Sequence, residues 1–152
     1  MISAGSQPAV VRETRLRVRY AETDQMGVVY YAHYFVWMEM GRAEYCRSLG
    51  LRYRDMEAED GLLLAVAEAH CRYLAPARYD DEVVVRTWVG EVNPRAIRFE
   101  YEILHADTGR RLATGFTRHI FCGPDLRPRR LPQKYWSVFG ISERNGPSQT
   151  VP

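Results

Sequence analysis

Residues 15–50 read RLRVRYAETDQMGVVYYAHYFVWMEMGRAEYCRSLG, and three patterns follow one another along that stretch. Arg15-Leu16-Arg17-Val18-Arg19-Tyr20 alternates polar with apolar side chains. Successive side chains leave an extended backbone on opposite faces, so a period of two predicts a strand with one face buried. Glu22-Thr23-Asp24-Gln25-Met26-Gly27 then breaks the alternation with a polar, turn-forming run. From Tyr30 to Leu49 there is no proline, and Gly41 is the only interior glycine. Tyr31, Tyr34, Phe35, Met38, Tyr45 and Leu49 recur there at helical spacing, predicting one long helix stopped at Gly50. Trp37 and Met40 fall outside that stripe, so the helix is expected to be enclosed on more than one side.

Beyond the helix, a charged stretch from Arg52 to Asp60 leads to Gly61 and then to four extended candidates. These are about Leu62 to Leu74, Glu82 to Glu91, Arg95 to His105, and Arg110 to Cys122. In the third, Ile97, Phe99, Tyr101 and Ile103 oppose Arg98, Glu100 and Glu102. Pro76, Asn93-Pro94 and Asp107-Thr108-Gly109 mark the turns between them. One strand, one long helix and four more strands predict an α+β domain in which a five-stranded antiparallel sheet covers the helix. One helix cannot cover both faces of such a sheet, so self-association into a homodimer or homotetramer is expected. Residues 1–13 are expected to be a flexible lead-in, 14–140 the folded domain and 141–152 a flexible tail, with Tyr135 to Phe139 forming a short docked segment.

Composition narrows the class. The 152 residues carry 21 basic and 19 acidic side chains of interspersed sign, which argues against a nucleic-acid partner. Lys134 is the only lysine, so the basic side is arginine, whose planar fork suits phosphates and carboxylates. Cys46, Cys71 and Cys122 form an odd set without metal-ligand spacing, and neither a disulfide framework nor a metal is expected. The N-terminal residues lack a signal-peptide pattern and no apolar run reaches membrane-spanning length, so a cytoplasmic protein is expected.

The junction between first strand and helix is where chemistry could sit. A carboxylate there, Asp24, lies near the unpaired N–H groups and the positive dipole end of a helix start. Such donors can stabilise an oxyanion, while a carboxylate can attack a carbonyl or activate water. Gly27 would allow the sharp turn into the helix and a close backbone approach to a ligand. Spacing alone leaves a plainer alternative open, in which Asp24 is a helix cap or turn carboxylate.

The stretch from Arg17 to Tyr34 resembles the signature of the 4-hydroxybenzoyl-CoA thioesterase family, which includes the acyl-CoA thioesterases associated with the Tol-Pal system. The match rests on Arg17-Val18, Thr23-Asp24, Gly27-Val28-Val29 and Tyr34, and Tyr73-Leu74-Ala75-Pro76-Ala77-Arg78-Tyr79-Asp80-Asp81 resembles its inter-strand segment. The resemblance implies a hotdog fold over roughly Thr14 to Leu131 and hydrolysis of an acyl-CoA to a free acid and CoA. It places the catalytic carboxylate on Asp24 and the carbonyl-polarising amide on Tyr31, with the N–H of Tyr30 as a second candidate donor. Many members carry His or Phe where this chain has Tyr31. No cofactor is implied, coenzyme A being part of the substrate. Gly27 and Tyr30 are expected beside the substrate, Arg95 and Arg98 at its phosphates, and Arg127, Arg129 and Arg130 form a second basic cluster. His33 reads better as a helix-surface residue than as an acid or base, and His70, His105 and His119 as sheet residues. Glu39 could orient a water or pair with Arg42 at the i+3 position. Two rival functions remain: a hotdog hydratase or dehydratase, disfavoured because Val29 stands five residues after Asp24 where those enzymes resemble one another in carrying His, and a non-catalytic acyl-CoA-binding scaffold.

Overall fold

The computed structural model describes residues 10–142, so residues 1–9 of the expected lead-in and 143–152 of the expected tail lie outside the described residues. Five strands form one antiparallel sheet: β1 (Arg12–Arg17), β2 (Leu63–Tyr73), β3 (Glu82–Val92), β4 (Ala96–His105) and β5 (Arg111–Cys122), in the spatial order β1-β3-β4-β5-β2. Helix α1 (His33–Ser48) lies against the inner face, chiefly over β1 and β3, and a second helix, α2 (Tyr53–Asp60), follows it. This is the hotdog arrangement. The fold expectation therefore holds with one correction. The charged stretch from Arg52 to Asp60 is a helix, ended by Gly61 in the left-handed conformation (φ 60°) and anchored by the single buried side chain of Met56.

The period of two in β4 translates directly into packing. Ile97, Phe99, Tyr101 and Ile103 are buried against α1, while Arg98, Glu100 and Glu102 face outward. That outer face is held by charge rather than by apolar surplus. Arg15 meets Glu82 at 2.8 Å, and Arg86 and Arg111 converge on Glu102 at 2.8 and 2.7 Å.

Helix α1 buries Tyr34, Trp37, Met38, Gly41, Tyr45 and Cys46. Trp37 belongs to the buried stripe, contrary to the sequence reading, and Val36 and Met40 remain 46% and 41% exposed. Within one protomer the helix is thus enclosed by the sheet on one side only. Gly41 is the contact point: a Cβ there would sit 2.5 Å from Thr87 Oγ1 and 2.8 Å from Val85 Cγ1, so only glycine lets the helix backbone rest on β3. The C-terminal turn at Gln133–Tyr135 docks on the end of α2, where Asp60 receives hydrogen bonds from the Tyr135 hydroxyl and an ion pair from Lys134 (2.9 Å). Phe139 and Ile141 are buried against the core.

Candidate active site

Asp24 sits in a tight loop built by its own hydrogen bonds. Its N–H donates to the carbonyl of Val28 (2.9 Å), its carbonyl accepts from Gly27 (3.0 Å), and its Oδ1 accepts from Met26 (2.9 Å). That Asx turn uses one carboxylate oxygen and leaves Oδ2 without a protein partner among the described residues. Gly27 has φ +78°, a conformation that strains any residue with a Cβ, although the space around it is open.

Two further contacts fix the loop. The N–H of Val29 donates to Ala77 (2.9 Å), which ties it to the segment after β2, and the N–H of Tyr30 donates to the carbonyl of Glu22 (2.9 Å). The second bond removes Tyr30 as an oxyanion donor, correcting the expectation of a pair of amides at Tyr30 and Tyr31. Glu22 is 4% exposed, and both its carboxylate oxygens are used. Oε1 accepts from the N–H of Arg19 (2.8 Å) and Oε2 from the indole N–H of Trp37 (3.0 Å). This buried carboxylate clasps the Asp24 loop to α1 fifteen residues away. Sequence reasoning missed it, because no local pattern announces a contact to Trp37.

The helix begins at His33, not Tyr30. Residues 30–32 form a lead-in turn whose carbonyls accept from the N–H groups of His33 (3.0 Å), Tyr34 (3.4 Å) and Phe35 (3.2 Å). The N–H groups of Tyr31 and Ala32 have no acceptor among the described residues. Tyr31 and Asp24 line one cleft of about 370 Å³ together with Met26, Val28, Tyr34 and Tyr73, and Leu74 to Pro76 complete its wall. Burial raises the Tyr34 and Tyr73 phenols above the ordinary value, so both stay protonated as hydrogen-bond donors.

Other expected site residues lie elsewhere. The ring of Tyr30 leans on Tyr31 (4.6 Å between centroids) outside the residues that line the cleft, and Gly27 serves the turn rather than the wall. Arg95 lines a separate cavity of about 540 Å³ with Arg118, Arg129 and Arg130. Arg98 is outside both cavities; it pairs with Glu100 (2.8 Å) and stacks on Phe116 (3.8 Å to the centroid). Glu39 forms no ion pair with Arg42 among the described residues. His33 opens α1 with its ring toward Tyr30, His70 stacks on Phe116, and His105 lies 3.5 Å from Asp81. Cys46, Cys71 and Cys122 are free. Among the described residues no cluster of His, Cys, Asp and Glu could hold a metal, and no helix is long and apolar enough to cross a membrane.

A cleft lined by a carboxylate and by a helix-start residue whose amide is uncommitted among the described residues can serve acyl-transfer chemistry. Comparison with known proteins agrees: residues 18–136 match the family model described as the thioesterase-like superfamily. The chain belongs to that family. Among relatives of this thioesterase, YneP of Bacillus subtilis, provisionally named an acyl-CoA thioesterase, is 43% identical over 93 residues, or 61% of this chain and 67% of the relative. The crystal structure of a DHNA-CoA thioesterase from Staphylococcus aureus is 32% identical with a TM-score of 0.81, covering 85% of this chain and 88% of that one. At 19% identity, 4-hydroxybenzoyl CoA thioesterase from Pseudomonas shares the fold (TM-score 0.76, 84% of this chain and 98% of that one).

Proposed function

We propose that this thioesterase hydrolyses acyl-CoA thioesters, with the Asp24 carboxylate and the N–H of Tyr31 as its working groups. The observation that carries the reading is that Asp24 and Tyr31 line one cleft, with Asp24 Oδ2 and the Tyr31 N–H both uncommitted among the described residues. The names of the relatives, a CoA thioesterase among them, support the substrate class. The thioester carbonyl oxygen accepts from Tyr31 N–H, and negative charge gathers there as the carbon becomes tetrahedral. Asp24 Oδ2 either takes a proton from the attacking water or itself bonds to the carbon as a mixed anhydride, which water then opens. In both routes the C–S bond breaks, and the thiolate leaves to be protonated as CoA. The apolar and aromatic walls of the cleft suit an uncharged acyl group.

Phosphates of the CoA moiety are best served by Arg95 with Arg118, Arg129 and Arg130, whereas the charge of Arg98 is already compensated by Glu100. In one protomer that cavity is remote from Asp24. Tyr73 pairs with Ala113 at one end of β5 and Ala96 with Ile120 at the other, about 23 Å apart along a strand. An antiparallel pairing of β2 with β2 of a second copy would bring the second copy's Arg95 cavity toward this cleft. β2 is an eleven-residue strand at the sheet edge, and its middle residues are exposed. We therefore read the working form as a homodimer or a homotetramer built as a dimer of dimers, which sedimentation reports directly. The three free cysteines fit a reducing compartment, the cytoplasm, testable by fractionation.

The deciding experiment is Asp24→Asn, which keeps shape and removes basicity. Turnover should fall at least about a hundredfold with CoA binding and folding retained. Near-normal turnover would sink the assignment of Asp24.

A further inference from the structure

We infer that Tyr73 is a positioning residue for the oxyanion donor: its hydroxyl, held out from the end of the sheet, fixes the start of α1 so that the N–H of Tyr31 stays aimed into the cleft. The inference rests on the proposed role of that amide and adds a residue which neither the sequence nor the family match singles out.

The geometry is a post between two rigid bodies. Tyr73 is the last residue of β2, and its backbone is tied to Ala113 of β5 by the sheet. Its hydroxyl crosses to the helix start and donates to the carbonyl oxygen of Tyr31 at 2.8 Å. Its ring is held edge-on by Tyr34, at 5.0 Å between centroids and 86° between planes, and by Tyr31, at 6.5 Å and 86°. Tyr34 is itself buried, so the ring has a firm backing.

The need for such a post follows from which bonds hold each peptide unit. The unit that presents the Tyr31 N–H has the Tyr30 carbonyl on its other side, and that carbonyl accepts from His33 at 3.0 Å. The next unit carries the Tyr31 carbonyl, and among the described residues its only backbone bond is the long one from Tyr34 at 3.4 Å. Of the three carbonyl bonds in the lead-in turn this is the longest, so the Tyr31 carbonyl is the one that gains most from a second donor. Tyr73 supplies that donor. An oxyanion donor lowers a barrier only when its direction is fixed before the charge develops, so restraint of the neighbouring unit acts on turnover rather than on binding. Burial raises the pKa of this phenol, which favours the protonated hydroxyl that donates here.

The test is Tyr73→Phe, which preserves the ring stack and removes one oxygen, assayed with the best acyl-CoA found in a substrate panel. Expected are a fall in kcat of about fivefold, the size of one neutral hydrogen bond in a partly exposed setting, with KM unchanged and the melting temperature lowered by no more than about 4 °C. Tyr73→Leu, which also removes the ring, should lower kcat further. Asp24→Asn is measured beside them. If Asp24→Asn is inactive but Tyr73→Phe keeps the parental kcat, or shows only a raised KM, the positioning role is overturned while the site assignment survives. If Asp24→Asn is active, the site assignment itself has failed. A Tyr73→Phe variant with lost kcat and a melting temperature lowered by roughly 8 °C or more would reduce Tyr73 to a structural residue and also overturn the proposal.

Discussion

Replacing Glu22 by glutamine tests whether the Asp24 loop is held by a buried ionic clasp or merely rests against α1. The carboxylate accepts two N–H groups, one on each oxygen: Arg19 backbone at 2.8 Å and Trp37 indole at 3.0 Å. Glutamine offers a single oxygen and turns its NH₂ toward the other donor, so one buried N–H is left unsatisfied. That loss costs about 1–3 kcal/mol, and the surviving bond loses its charge assistance at about 1 kcal/mol more. A total of about 3 kcal/mol should lower the melting temperature by roughly 6–12 °C for a chain of this size. Thermal melts and urea titrations of the parent, Glu22→Gln, Trp37→Phe and the double variant measure it. In the Trp37→Phe background the indole donor is gone, and the penalty of Glu22→Gln should drop to less than about half. Because the Glu22 carbonyl also holds Tyr30, turnover should fall with stability. A Glu22→Gln protein melting within about 1 °C of the parent, or identical penalties in both backgrounds, would refute the clasp.

His119 is fully buried, with Nε2 bonded to Thr117 Oγ1 at 2.8 Å, and burial, aided by Arg42, lowers its pKa from 6.5 to about 4. Between those values the unfolded chain binds the extra proton, so stability should be unaffected above about pH 6.5 and fall by up to about 3 kcal/mol as pH drops to about 4; His119→Gln should flatten that part of the urea-midpoint profile, and equal slopes would refute it. For the assembly, sedimentation at micromolar concentration should give twice or four times the 17.6 kDa protomer mass, and a protomer-sized species would rule out pairing through β2.

What the sequence discloses and what it hides divide along physical lines. Strands β2 to β5 were legible within a residue or two because each is bounded by proline, glycine or Asx turns, with a clear alternation in β4. β1 starts at Arg12, three residues before its alternation, because Arg12 to Thr14 are held by backbone bonds to β3 rather than by burial. α2 buries one side chain, so it has no apolar stripe to read; its trace is a run free of glycine and proline ending at Gly61. The place of Asp24 at a strand-to-helix junction was legible in the sequence, whereas Tyr31 was singled out only through the family resemblance. Glu22 and Tyr73 were not legible, since each acts on a partner 15 or 42 residues away that only the folded chain brings near.

The start of α1 carries a further lesson about how a fold makes room for chemistry. Every helix begins with N–H groups that lack an upstream carbonyl, and proteins usually satisfy one with Ser, Thr, Asp or Asn at the N-cap. Here the N-cap is Ala32, which makes no side-chain cap bond, and the nearby carboxylate that could have served, Asp24, spends its Oδ1 on Met26 instead. Forgoing a cap costs about 1 kcal/mol. The fold recovers stability at the same junction through Glu22 on Trp37 and Tyr73 on Tyr31, contacts that hold the backbone without occupying the Tyr31 N–H. In the proposed reaction the developing oxyanion accepts from the Tyr31 N–H, one residue ahead of the N-cap Ala32, so a bond the resting protein lacks is made when the thioester carbonyl becomes tetrahedral.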